Sequence, residues 1–451
     1  MKKILAFTVS LICLPALAGS RNIVITSMGA REGAGRDNAP AIQKAIDKVN
    51  LAGGGTVTVP AGDFLTGPIE LKSGVELHLE MGARLLGVPD RAAYGKAHMV
   101  VNGERSPFSS LIYAQGQQNI AITGLGTIDG QGGHPAFATK EDPGERPMII
   151  LFRECKNVVV QDVRLENSAH WVEYYTACEG VRVSGIKVRS HCNYNNDGID
   201  IESSDVVVSN CIFDCEDDAI CLKGLAMCEN ISVSNCIAAS NCNAIKLGTA
   251  SIYGYRNVSI SNITVRAASE DNFRHWSTKV KGITAPVTVI SGIALEVVDG
   301  GIMENVSISN ISMRDVQTPI FIRLARRSKN SRFPGGSCLK GITISGVTAV
   351  CESLMSSSIT GVPGLRPQNI YLSDIDITAP GGGTAEMVDI PVPEAEDTYP
   401  ENRKLGTSLP ASGLYIRHAD NVHLSNVRFH FREADARPLI VTDDCTNVTE
   451  R

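Results

Sequence analysis

Short runs of alternating apolar and polar residues recur along most of this chain. One phrase reads N-V-V-V-Q-D-V-R-L from Asn157, G-V-R-V-S-G-I-K-V from Gly180, D-V-V-V-S-N-C-I-F from Asp205 and N-I-S-V-S-N-C-I-A from Asn230. It returns from Asn257, Asn305, Gly341, Asn369 and Asn421. From Asn157 to Asn257 each start follows the last by roughly 25 residues, and the later steps are longer. Alternation puts successive side chains on opposite faces of a strand. Each unit therefore reads as two short strands around a polar corner, with Val and Ile inside and Asn, Ser and Asp at the corners. A period in the twenties with that content marks a solenoid. The expected fold is all-β: a single-stranded, right-handed parallel β-helix whose coils stack ~4.8 Å apart.

The N-terminal part has a different period. D-N-A-P-A-I-Q-K-A-I-D-K-V, Asp37 to Val49, carries the spacing of a short amphipathic helix, with Asp37 placed as its cap. Gly53–Gly55 end it. Such a helix is expected to cover the apolar end of the first coil. Residues 379–412 are rich in Gly and Pro and read as an excursion from the coils. One domain is expected over residues 19–451. Residues 1–18 read as a leader, with Lys2 and Lys3, an apolar run Ile4–Leu14 and the A-x-A site Ala16-Leu17-Ala18. That leader implies export, to the periplasm or beyond, in a bacterium.

Composition narrows the classes further. The 451 residues carry a net charge of −6, which gives no support for nucleic acid or an anionic membrane surface as partner. Aromatic content of 5% and 42 glycines suit a β chain rich in turns. No segment after the leader approaches the ~20 apolar residues of a membrane span. All but one of the 13 cysteines lie beyond the leader. Cys155–Cys178 and Cys192–Cys215 share the spacing of Asn157–Gly180, and Cys215–Cys236 and Cys221–Cys242 are spaced slightly closer. Spacing near one coil implies buried thiols stacked in ladders, with isolated disulfides as the alternative. The absence of a C-x-x-C pair gives a zinc site no support.

The chemistry concentrates in D-C-E-D-D-A-I-C-L-K, Asp214 to Lys223. A lone D-D pair is usually a solvated corner, as Asp443-Asp444 near the C-terminus reads. Here N-Y-N-N-D-G-I-D-I, Asn193 to Ile201, places Asp197 about one coil before Asp217 and Asp218. The three carboxylates are therefore expected to converge. Crowded carboxylates cannot all ionise, and one pKa rises. A protonated acid beside ionised carboxylates is the equipment of glycoside hydrolysis.

These motifs resemble glycoside hydrolase family 28, the polygalacturonase family. The resemblance covers nearly the whole chain beyond the leader. It runs through Met28-Gly29-Ala30, Asp37–Asp47, Gly53–Gly62, Leu65–Ser73, G-T-I-D-G-Q-G at Gly126–Gly132 and N-S-A-H-W at Asn167–Trp171. N-x-D-G-I-D followed by D-D-A-I-C-L-K is the more specific part. The resemblance implies that Asp217 protonates the glycosidic oxygen, that Asp197 and Asp218 hold and deprotonate the attacking water, and that the anomeric centre inverts. It implies an orienting role for Asn195 and no metal or other cofactor. Two family elements are absent. The G-H-G position reads S-N-C-N-A-I-K-L-G-T, with Asn241 or Asn243 near the His, and the R-I-K position holds Ala294 and Glu296. The usual grip on a substrate carboxylate is therefore missing, which favours a different subsite, for another galacturonate or a rhamnose linkage. Lys223, Lys246, Arg323, Arg417 and His418 are the candidate replacements, each with an ordinary solvated cation as the alternative. Trp171 is placed to stack on a sugar or to pack structurally.

The leading expectation is a monomeric inverting hydrolase of pectic poly- or oligosaccharide. Tyr399–Asn402 in the C-terminal excursion could close one end of the cleft and give exo action. A Ca²⁺-dependent lyase on the same fold would instead yield an unsaturated product. A non-catalytic carbohydrate-binding β-helix is the third reading, against which the retained trio Asp197, Asp217 and Asp218 stands.

Overall fold

The computed structural model describes residues 21–451 except 34, 97–99, 102–103, 106–107, 138–145, 274–279, 285–287 and 329. The expected leader lies outside the described residues. Among them no helix is long and apolar enough to cross a membrane.

The chain is a parallel β-helix. An interior row runs Ile120, Val158, Val181, Val206, Ile231, Val258, Val306, Ile342, Ile370, Val422 and Val448, each in register with the next across parallel strands. Every member but the last is buried. Burying each such side chain stabilises the fold by ~1.5–3 kcal/mol relative to exposure.

The repeated phrase has a backbone cause. Its first residue adopts a left-handed conformation at Asn157, Gly180, Asp205, Asn230, Asn257, Asn305, Gly341, Asn369 and Asn421, with φ between 54° and 72°. So does the residue five positions on, from Asp162 to Asn426. Only Gly, and to a lesser degree Asn and Asp, visit that region readily. Their side chains also link the coils: Asn257 Nδ2 donates to Asn230 Oδ1 at 3.2 Å and Asn305 Nδ2 to Asn257 Oδ1 at 2.8 Å. The phrase's serines are not corner residues. Ser259 and Ser261 are strand residues facing outward between the two corners.

Helix α1 (Ala39–Leu51) forms where the spacing places it, and its buried Ile42, Ile46 and Val49 share one apolar cluster with Ile23 and Val57. The cap differs from expectation. Asn38 is the N-cap residue, and Asp37 stands one place earlier, accepting from the Ala39 and Gly67 amides at 2.8 Å.

The cysteine rows also need correction. All the cysteines from Cys155 to Cys445 are free thiols. Cys155 and Cys178 do meet on adjacent rungs, thiol to thiol. The other true pair is Cys211 with Cys236. Cys215 is in register with Ser190 and Ser240, and Cys221 with Lys246. The spacings Cys192–Cys215, Cys215–Cys236 and Cys221–Cys242 therefore match no thiol pair. The local step is longer, as the register of Ile212 with Ile237 and of Ile220 with Ile245 shows.

Eight strands position the site: β1 (Glu173–Ser184), β2 (Ile199–Ser209), β3 (Ile220–Gly224), β4 (Asn243–Ser251), β5 (Val289–Val297), β6 (Ile302–Leu324), β7 (Ser357–Thr360) and β8 (Leu414–Arg417). One outward-facing row crosses them: Tyr174, Asp200, Cys221, Lys246, Ala294, Phe321, Ser358 and Tyr415. Its charged members lie in the middle. Tyr174 packs with Met148, Leu151, Phe108 and Trp171. Ala294, Phe321 and Tyr415 are covered by Leu405, Leu409 and Ala411 of the excursion and by Val280.

Candidate active site

The acids sit just before their strands. Ile199 of β2 is in register with Ile220 of β3, so Asp197 stands one rung from Asp218. The turn that carries Asp197 is fixed by buried Asn196, whose Nδ2 donates to Ser168 O and His170 O, both at 2.9 Å. Gly198 follows because no side chain fits: a Cβ there would lie 2.5 Å from Ala219 O and 2.8 Å from Cys215 Sγ. Backbone bonds then lock the rungs, Val172 N to Asp197 O at 2.9 Å and Gly198 N to Asp218 O at 2.8 Å.

The three aspartates converge as the spacing requires. Asp197 and Asp217 each bring an oxygen within 4.8 Å of one on Asp218. Their partners differ. Asn195 Nδ2 donates to Asp217 Oδ2 at 3.2 Å, and the Asp218 amide to Asp217 Oδ1 at 3.1 Å. Asp218 accepts from Asn243 N at 3.1 Å, Asn243 Nδ2 at 2.8 Å and Lys246 Nζ at 2.9 Å. Lys223 Nζ donates to Asp197 Oδ2 at 3.2 Å and lies 2.8 Å from Asp200 Oδ1. Glu216, first of the three adjacent acids, turns away and accepts from Asn241 Nδ2 at 3.0 Å and Phe273 N at 3.2 Å. The repulsion in E-D-D is thus relieved by giving each acid its own set of donors.

Burial and charge then separate the carboxyls. Burial, reinforced by Asp200, raises the Asp197 carboxyl well above the ordinary range despite Lys223. Burial would also raise Asp218, but Lys246 and then Lys223 outweigh it and hold that carboxyl at about 2. Asp200 is pushed up to about 6 by burial against the opposing pull of Lys223. Burial thus favours the neutral form at Asp197, whereas Lys246 and Lys223 favour the ionised form at Asp218.

Seven of the expected site residues come together: Asn195, Asp197, Asp217, Asp218, Lys223, Asn243 and Lys246. Trp171 stands at their edge, with Lys223 Nζ 4.4 Å from its ring centroid and the Phe108 ring at 5.2 Å. The remaining three hold the excursion. Arg323 Nη1 donates to Gly361 O at 3.1 Å and Nη2 to Ala395 O at 3.2 Å. Arg417 donates to Val392 O at 2.8 Å and Pro393 O at 2.9 Å. His418 lies between Glu394 and Asp444.

Three further residues belong to the site. Asp200 is fully buried against Lys223. Glu296, at the place of the absent R-I-K lysine, is buried, accepts from Thr249 Oγ1 at 3.1 Å and is pushed up by burial to about 7. Tyr399 reaches in from the excursion, its Oη accepting from Lys246 Nζ at 2.9 Å. The alternation of β2 and β5 carries the signal for the first two, whereas Tyr399, 153 residues from Lys246, is legible only as part of the segment expected to close the cleft. As for metal ligation, Asp197, Asp218 and Cys221 cluster closely enough, as do Asp217, Asp218 and Cys242. Each group pairs hard oxygens with a soft thiol, and ammonium groups already contact Asp197 and Asp218.

Comparison with known proteins agrees with this geometry. The family model described as glycosyl hydrolases family 28 matches residues 52–396. An endo-polygalacturonase of Pectobacterium parmentieri is 26% identical over 364 residues, 75% of this chain and 83% of that protein. An exo-poly-alpha-D-galacturonosidase of Dickeya chrysanthemi is 28% identical over 250 residues, 44% of this chain and 41% of that protein. The structure of a Yersinia enterocolitica family 28 exopolygalacturonase superposes with a TM-score of 0.71 at 18% identity, over 95% of this chain and 78% of that one. With the family motif spanning most of the chain and the acids assembled at its centre, this protein belongs to glycosyl hydrolase family 28 and is a glycoside hydrolase.

Proposed function

We propose that the protein is an inverting hydrolase that releases sugars from the ends of galacturonate-containing pectic chains. The observation that carries the hydrolytic step is the division of labour among the three aspartates. Asp217, held by Asn195, gives its proton to the glycosidic oxygen as the C–O bond breaks. A water adds to the anomeric carbon from the opposite face, and Asp218, kept ionised by Lys246, takes its proton. Asp197, one rung from Asp218, shares in holding and deprotonating that water. Inversion is carried here by the family resemblance: the nearest oxygens of Asp217 and Asp218 lie within 4.8 Å, closer than the ~6.5–9.5 Å usual for an inverting pair, so the anomer released is the deciding measurement.

Action at chain ends is supported by the two apolar clusters that flank the patch. The outward row is covered beyond Lys246 by Leu405, Leu409 and Ala411, and Tyr399 stands over Lys246 itself. Among the described residues, these side chains stand across the row on that side, in the way of a long polymer. The helix α1 serves as the solenoid's N-terminal cap, and residues 19–451 act as one catalytic unit.

Incubation with polygalacturonate, rhamnogalacturonan and defined oligosaccharides tests this. The expected result is small saturated sugars with little early loss of viscosity, and the inverted anomer by proton NMR. Asp217→Asn is expected to lower kcat by roughly 10³-fold while leaving Tm unchanged. Rapid viscosity loss would overturn chain-end action, and an unsaturated product would overturn hydrolysis.

A further inference from the structure

We propose that Tyr399 is the stacking platform for a sugar ring at this site, a substrate-contacting residue supplied by the excursion. The inference rests on the hydrolytic reading above and adds how the sugar is held. Tyr399 is 42% exposed although it adjoins the most buried charges in the molecule. Its phenol end is the tethered one, where Lys246 donates to Oη at 2.9 Å. The same ammonium donates to Asp218 Oδ2 at 2.9 Å, so one cation fixes the ring relative to the catalytic base. Because Lys246 occupies the oxygen as donor, the phenol hydrogen can be given to a sugar hydroxyl.

The backbone around Tyr399 is held on both sides. Arg323 and Arg417 grip the carbonyls of residues 392–395 before it. After it, buried Asn402 donates to Ile290 O at 3.1 Å and to Thr318 Oγ1 at 2.5 Å. An exposed aromatic side chain on a segment tied down this way is a prepared surface.

Among the described residues, the two lysines nearest the acids are already paired, Lys223 with Asp197 and Asp200, and Lys246 with Asp218. Glu296, buried beside Lys246, offers no cation. Trp171, the aromatic residue expected from sequence to stack, has Lys223 over its ring and Phe108 beside it. An exposed aromatic ring with a polar tip suits the apolar C–H face of a pyranose.

The test is calorimetric titration of the Asp217→Asn protein with trisaccharides of galacturonate and of alternating rhamnose and galacturonate, with and without Tyr399 replaced. Tyr399→Ala is expected to weaken binding at least about tenfold, equivalent to about 1.4 kcal/mol, whereas Tyr399→Phe stays within about twofold because the ring remains. In the otherwise wild-type enzyme Tyr399→Ala should raise KM more than it lowers kcat. Equal binding with and without the ring overturns the proposal, as does Tyr399→Phe being as damaging as Tyr399→Ala. The two readings fail separately. A wild type that releases sugar but is indifferent to Tyr399→Ala overturns the platform alone. Ring-dependent binding without any sugar release overturns the hydrolytic reading alone.

Discussion

The interior row from Ile120 to Val448 and the outward row from Tyr174 to Tyr415 cross the same coils under the same register, yet they obey opposite rules. Inside, every rung repeats an aliphatic side chain, and like packs on like. Outside, adjacent rungs differ: Tyr174, Asp200, Cys221, Lys246, Ala294. The interior row is what stabilises the solenoid, whereas the outward row uses that rigidity to hold charges close together. Asp197, Asp200 and Lys223 could not stay so near one another on a flexible loop, because desolvating them is costly unless the geometry is kept. The monotony of one row permits the irregularity of the other.

The largest way to break this contrast is to remove a charge from the outward side. Lys246→Met leaves Asp218 buried without its main counter-charge. It is expected to destabilise the protein by about 3 kcal/mol or more and to move the acidic limb of the kcat/KM profile to higher pH. Asp218 in the fold is depressed to about 2, so its stabilisation is present above the ordinary carboxylate pKa and is lost as pH falls through about 2. The difference in Tm between wild type and Lys246→Met should therefore be full near neutrality and shrink in acid.

A smaller test uses a place where a charge-bearing group intrudes into an interior row. Glu173 stands between Ile150 and Ile199, hydrogen-bonded by the Tyr175 hydroxyl at 2.5 Å, and burial pushes it up to about 8. A carboxyl raised in the fold contributes stability that is present below its ordinary value and is lost as pH rises through about 8. Glu173→Gln should match wild type at about pH 4 and exceed it by a few degrees in Tm at about pH 9. An equal Tm difference at both pH values would remove Glu173 as an intruding acid.

The smallest effect is at the corners. Asn257→Ala places a Cβ-bearing residue without local hydrogen bonding at φ 54° and removes bonds to two neighbouring coils. A cost of about 1 kcal/mol in urea unfolding is expected, with less for Asn257→Gly, whose backbone accepts the conformation.

The sequence made the β-helix and the acid trio legible for one reason: register. Asp197 and Asp218 have the same separation along the chain as Ile199 and Ile220, which face each other on adjacent rungs. The cysteine spacings mislead because the step differs between sheets. On the neighbouring sheet the step is longer, from Val206 to Ile231, so Cys211 meets Cys236 and Cys215 meets Ser240. Arg323 and Arg417 are correctly placed on outward strand positions, but their partners come from an excursion whose path no periodicity describes. Tyr399 is legible only as part of a segment expected to close the cleft, because a contact across 153 residues depends on how that excursion folds back.

The grip on that excursion has a consequence for divergence. Arg323 and Arg417 hold it chiefly by main-chain carbonyls of Val392, Pro393, Glu394 and Ala395. A clasp of that kind is blind to side-chain identity, since every residue offers the same carbonyl. The segment can therefore change its sequence, and with it what stands over Lys246, while keeping its course. Such a molecule can acquire a new sugar preference by drift in one replaceable part, with its catalytic rungs untouched.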